Sequence, residues 1–312
     1  MTRGVRPGQH GVTDPWTECW NRTLSPIDRS YWRDSMSPPN PLLPSLSSFM
    51  SIDVKSADSH RWAEVRLSDE HRDQAAFRLA VHVAWHRCDG APHYFDAWLQ
   101  RYEGGGPHTE ALLDCLVAFL GSESIGTPSM PAAPAHLEGF VAEHIWHLLT
   151  VENALAFGDP VRVDGPDWSV TDSGGDGLAI HRVAGTLVFR LWESKAHTGA
   201  GAVRDIVNGA CRQIDSKALR YLARFSKIGQ SVADGELQHF YGQLPELWRE
   251  GAREAGGGIS VSTRSFAIDD CFGNFHTYWS FANNDQRLGL VVVIDDFSGF
   301  ASLVREHLWK GL

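Results

Sequence analysis

The stretch "SGGDGLAIHRVAGTLVFRLWESK", residues 173–195, decides the fold. Its second half is an apolar run, Leu187 to Trp192, that ends in Glu193 and Lys195 with one serine between them. Side chains two apart on a strand share a face, so the acid and the base emerge side by side from a rigid mount. Ala184-Gly185 sits between two strand-like runs and reads as a two-residue hairpin turn. Such a turn sets Val183 against Thr186 and, counting outward, Asp176 against Glu193. Directly opposed residues share a face with Cβ atoms roughly 4.5–5.5 Å apart. Two carboxylates that close repel each other unless a cation lies between them. Their hard oxygen donors suit a divalent ion such as Mg²⁺ (or Mn²⁺). The same count sets Asp167 and Asp172 against positions beyond the strand end, which favours Asp176. Gly174 and Gly175, just before it, allow close backbone approach.

The flanking sequence supplies the rest of the architecture. Residues 1–58 are rich in Pro, Ser and Gly, with prolines at 38, 39, 41 and 44, and are expected to be irregular. Residues 59–125 read as a mainly helical accessory region after a short strand near 63–68. Apolar residues at spacings of three and four mark helices from Asp69, from Pro92 and from His108. "GTPSMPAAPA", residues 126–135, reads as a linker. From 136 to 312 the pattern becomes a helix, short strands, the hairpin, a long helix to about 227, two further strands and a closing helix. This is an α/β chain, with a mixed sheet flanked by helices in α-β-β-β-α-β order. Asp295-Asp296 reads as a turn or helix start.

The long helix carries a core stripe of Val207, Cys211, Ile214, Ala218, Leu222 and Phe225. Beside it lie Arg212, Lys217, Arg220 and Arg224. Residues 195–227 hold seven Lys or Arg against two Asp, in a chain whose net charge is −10. A local basic face of this kind attracts phosphate. His197 reads as an incidental exposed residue. His144 and His147, at i and i+3, have the ligand chemistry for zinc, but no further ligand cluster is visible beside them in the sequence. "HTGAGAVRD" lacks the lysine spacing of a nucleotide P-loop.

Asp176 followed by Glu193-Ser194-Lys195 at a strand end, with helices before and after, resembles the PD-(D/E)XK nuclease superfamily. The resemblance covers about residues 136–295, with Gly175 standing where the family label has proline. It implies phosphodiester hydrolysis, with Asp176 and Glu193 holding Mg²⁺ and Lys195 as the catalytic cation. Many members carry a glutamate on the preceding helix. Glu143, among apolar Phe140, Val141, Ile145 and Leu148, matches it better than Glu138, which reads as a charge favourable to the helix dipole. Gln213 resembles the glutamine often found on the long helix, with Lys217 where several relatives have tyrosine. The "GGDG … ESK" arrangement is also similar to nuclease subunits of bacterial antiviral systems such as Hachiman. That likeness implies DNA as substrate (RNA not excluded) and a helicase/ATPase partner protein. A stand-alone restriction or repair endonuclease and a non-catalytic adaptor are the alternatives.

Composition bounds these readings. At 312 residues, with 43% apolar residues and 12 tryptophans, the chain can bury a large core. The five cysteines, Cys19, Cys88, Cys115, Cys211 and Cys271, form no CxxC pair, so reduced thiols and a cytoplasmic protein are expected. No apolar segment follows Met1 as in a signal peptide, and no run is long enough to span a membrane.

Overall fold

The computed structural model describes residues 43–88, 91–105, 109–166, 175–264 and 270–312. One mixed sheet of seven strands organises them. Its strands are β1 (Met50–Ser56), β2 (Arg61–Leu67), β3 (Asp159–Asp164), β4 (Gly177–Val183), β5 (Thr186–His197), β6 (Gly257–Thr263) and β7 (Arg287–Val293). The spatial order is β1-β2-β7-β6-β5-β4-β3. β2, β7, β6 and β5 run parallel, and antiparallel β1 closes one edge while β4 and β3 close the other. β6 and β7 are buried at every residue, as strands covered on both faces must be.

The helices are α1 (Arg72–Arg87), α2 (Pro92–Tyr102), α3 (Glu110–Leu120), α4 (Pro134–Val151), α5 (Val203–Gly229), α6 (Gly235–Glu250), α7 (Phe275–Tyr278) and α8 (Phe297–Lys310). They divide the core into two layers. One cluster joins α1, α4 and α8 to Trp192, Leu290 and Val292, and the other joins α5 and α6 to Leu191, Ile259 and Val261. Alternate side chains of β5 therefore feed opposite layers, and Glu193 and Lys195 share the α5 side with Leu187, Phe189 and Leu191.

The α/β class is present, with α4, β3, β4, β5 and α5 in the expected succession and α6 inserted before β6. Asp296 starts α8, its side chain accepting the Gly299 N–H at 3.0 Å. Three organisational expectations change. Residues 50–56 form β1 rather than irregular chain, because Ser51 to Ser56 pair with β2 although most of their side chains are exposed. Residues 59–125 are no separate accessory unit: β2 pairs with β7 inside the sheet, and α1 packs in the same core as α4 and α8. The expected linker runs into α4, which starts at Pro134, so it separates no two cores. Helix α6 was not apparent in the sequence, since Pro245 lies inside it. It starts on an Asp234 cap and stops at Gly251 in the left-handed region (φ 61°).

Candidate functional site

The hairpin forms in the expected register. Ala184 (φ 48°) and Gly185 (φ 85°) are both left-handed, as a primed two-residue turn requires, and the ladder runs from Val183 opposite Thr186 to Gly177 opposite Trp192. The strand then ends. Asp176 N donates to Trp192 O at 3.0 Å, and Asp176 Oδ2 accepts the Ser194 N–H at 2.5 Å. The carboxylate takes a backbone donor that a continuing strand would have satisfied. The glycines on either side follow from crowding: a Cβ on Gly177 would lie 2.1 Å from the Trp146 ring, and one on Gly175 would press Leu191 and Tyr221 at 3.0 and 3.1 Å.

Across the turn, Glu193 is fully buried. Its Oε1 accepts from Lys195 Nζ and from Gln213 Nε2 (2.6 Å), while Oε2 is buried without a partner. The α5 helix thus holds Glu193 from above through Gln213. From the other layer, α4 runs antiparallel to β5. Trp146 packs on Trp192 at 5.6 Å between ring centroids, and Glu138 accepts from Thr198 Oγ1 at 2.9 Å. Glu143 lies between these two contacts, beside the strand end. Glu138, in the first turns of α4 where a negative charge suits the helix dipole, is buried and also accepts from Ser298 Oγ, tying α4 to α8.

The charges of Asp176, Glu193, Glu143 and Lys195 act on one another. Burial pushes Glu193 up to about 8, with Asp176 adding to the effect and Lys195 opposing it. Burial also pushes Asp176 up to about 6, against the pull of Lys195 and the Ser194 N–H. Glu143 is raised well above its ordinary value by burial, then by Asp176 and Glu193, while Lys195 and Arg87 oppose. For Lys195, burial acts downward, but Glu193, Asp176 and Glu143 outweigh it and the ammonium is held more firmly. Carboxylates raised in this way favour added positive charge.

Among the described residues, no three His, Cys, Asp or Glu side chains converge closely enough to hold a metal ion in this arrangement. The donor set is nonetheless the one a hard cation takes: carboxylate oxygens, one of them (Glu193 Oε2) buried and unpartnered. Asp176, Glu193 and Glu143 are the residues that could hold it.

The basic residues of α5 divide. Around the helix axis Lys217, Arg220 and Arg224 lie within about 40° of Gln213, whereas Arg212 lies about 100° the other way. Lys217 is half-buried and its charge reaches Glu193; Arg220 and Arg224 are exposed. Arg212, exposed on a different side of the helix, donates to Tyr278 Oη on α7 at 3.3 Å. His197 Nε2 lies 3.2 Å from Gly201 O, a local loop contact. Asp167 and Asp172 lie outside the described residues.

Two neighbours of the site were missed. Tyr221, two turns beyond Gln213, is buried and hydrogen-bonds it, and the charges of Glu193 and Asp176 reach it. Its spacing from Gln213 was the available signal. Arg87 reaches Glu143 from α1, and no local pattern announces that. Compared with known proteins, the chain matches no family model and no curated protein.

Proposed function

We propose that the chain is a metal-dependent nuclease that hydrolyses phosphodiester bonds, with DNA as the favoured substrate. The observation that carries this reading is the convergence of Asp176, Glu193, Glu143 and Lys195 at one strand end, all three carboxylates raised by burial and Glu193 and Glu143 also by their acidic neighbours. Bound by Asp176, Glu193 and Glu143, Mg²⁺ (or Mn²⁺) would supply Lewis-acid and charge-neutralising chemistry at a phosphate. Lys195, held cationic by three acids, offsets the charge that gathers on phosphate oxygens in the transition state. A lysine so held does not take a proton from water, so its part is electrostatic. Gln213 fixes the Glu193 carboxylate, and Lys217, Arg220 and Arg224 extend a positive track along α5 for the nucleic-acid backbone.

The test is cleavage of plasmid, linear and single-stranded DNA, and of RNA, by purified protein with Mg²⁺ or Mn²⁺. Lys195→Ala is expected to lower the rate at least 100-fold while melting at a similar temperature. The resemblance to antiviral nuclease subunits adds a helicase/ATPase partner to the proposal. Co-purification with such a partner, and an ATP-dependent change in cleavage, test that part. Cutting at full rate without a partner would favour the stand-alone endonuclease. Biological activity that survives Asp176→Ala, Glu193→Ala and Lys195→Ala together would leave only the non-catalytic adaptor.

A further inference from the structure

Behind the carboxylate site, helices α1 and α4 each turn two imidazoles into their shared interface. His82 and His86 come from α1, and His144 and His147 from α4. The further ligand group that His144 and His147 lack in the sequence is thus brought to them by the fold. His82, His144 and His147 are all at least 97% buried. Ring centroids lie 5.0 Å apart for His82–His147, 5.2 Å for His86–His147, 5.6 Å for His86–His144 and 5.8 Å for His82–His144.

The hydrogen bonds show which nitrogens carry lone pairs. His147 Nε2 lies 3.4 Å from Val163 O, and His86 Nε2 lies 3.3 Å from Pro166 O. A carbonyl can only accept, so in both rings Nε2 carries the proton and Nδ1 the lone pair in the neutral form. His147 Nδ1 faces His82 Nε2 at 3.0 Å. His82 Nδ1 and both nitrogens of His144 are buried without a partner. A buried polar atom left without a partner is costly, so these three nitrogens point to a missing ligand.

We propose that these histidines form a binding site for a borderline divalent transition-metal ion, Zn²⁺ by preference, that staples α1 to α4. Imidazole is a natural ligand for such an ion. With Zn–N near 2.0–2.1 Å, tetrahedrally arranged imidazoles would have ring centroids roughly 5 Å apart, close to the spacing seen. The carbonyl partners of His147 and His86 repeat the outer-shell hydrogen bond that ligating histidines ordinarily make. The lone pairs do not yet meet at one point. Uptake therefore requires the His144 ring, which has no hydrogen bond to break, to turn, and the His82 Nε2–His147 Nδ1 hydrogen bond to give way to the metal.

The experiment uses the full chain carrying Asp176→Asn and Glu193→Gln, so that metal at the carboxylates cannot be mistaken for metal at the histidines. After removal of metal by chelation, Zn²⁺ is titrated while bound metal and melting temperature are followed, and Co²⁺ is added in parallel for its visible absorption. The expected result is stoichiometric Zn²⁺, a melting temperature raised by roughly 5 °C at a hundredfold excess over Kd, and tetrahedral Co²⁺ bands. His144→Phe should abolish all three while melting, without metal, at least as high as its parent. If His144→Phe does not fold, His82→Gln is read the same way. Absence of stoichiometric metal in the parent, or equal binding in parent and variant, would overturn the proposal. Neither result depends on whether the chain cuts nucleic acid.

Discussion

At the scale of single residues, the site is defined by charge that is not balanced. Burial raises Asp176 to about 6, and burial together with the Asp176 charge raises Glu193 to about 8. A carboxyl with a higher pKa in the fold than in the unfolded chain binds its proton more tightly when folded. Its stabilising contribution is complete below the unfolded value, about 4, and is lost as pH rises through the folded values. Metal-free protein should therefore melt at progressively lower temperature from about pH 5 to pH 8. Glu193→Gln should flatten that decline, and Mg²⁺ should raise the melting temperature more at pH 8 than at pH 5. Differential scanning fluorimetry across that range checks all three. A second expectation concerns Gln213, which touches Glu193 and no phosphate. Gln213→Leu should cost about 10–100-fold in cleavage or Mg²⁺ affinity, the usual effect of losing an outer-shell partner, without lowering the melting temperature comparably. Glu193 and Lys195 were legible because strand periodicity alone puts them on one face. Tyr221 and Arg87 were not, because their roles depend on how α5 and α1 pack.

At the scale of elements, the sequence was clearest where structure is local. The β4–β5 hairpin is fixed by a two-residue turn and alternating strands, and it came out in the expected register. The core stripe of α5 is likewise buried throughout. What escaped were elements stabilised by partners distant in sequence. β1 exposes most of its residues and exists because β2 pairs with it, while α6 outlasts an internal proline through its two caps and its packing against α5. Tyr241 of α6 also donates to Asp164 on β3, a contact no local pattern encodes. The turn itself offers a test. Ala184 stands in the left-handed region, which costs a residue with a β-carbon about 1–2 kcal/mol. Asparagine tolerates that region and is favoured at this turn position. Ala184→Asn should stabilise the protein by about 0.5–1 kcal/mol, and Gly185→Ala should destabilise it by about 1 kcal/mol. Urea midpoints at constant m-value give both numbers, and the hairpin reading would be undercut if the two changes had the same sign.

At the scale of the whole molecule, the question is whether the residues before α4 are an appendage or part of the folding unit. Composition argues for an appendage, since a proline- and alanine-rich stretch precedes α4. The sheet argues the reverse. β2 forms a parallel ladder with β7, from Arg61 opposite Leu288 to Arg66 opposite Val293. Cutting the chain at residue 126 would leave β7 with an open edge and unpaired backbone groups. It would also strip α1 from the apolar faces of α4 and α8, exposing Phe300, Val304 and the buried His144. An open, flat, apolar edge strand is a template for aggregation. A fragment of residues 126–312 should therefore be insoluble or fail to fold. The full chain should unfold in one cooperative step, with far-ultraviolet dichroism and tryptophan fluorescence coinciding along the urea axis. Two separated transitions would mean that the early strands and helices fold apart from the site. A single transition would mean that α1, through Arg87 and its histidines, is bound into the same cooperative unit as Glu143. Destabilising substitutions in α1, such as Leu79→Ala, should then lower the melting temperature of the carboxylate site along with the rest, by the cost of about 2–5 kcal/mol expected for a buried leucine.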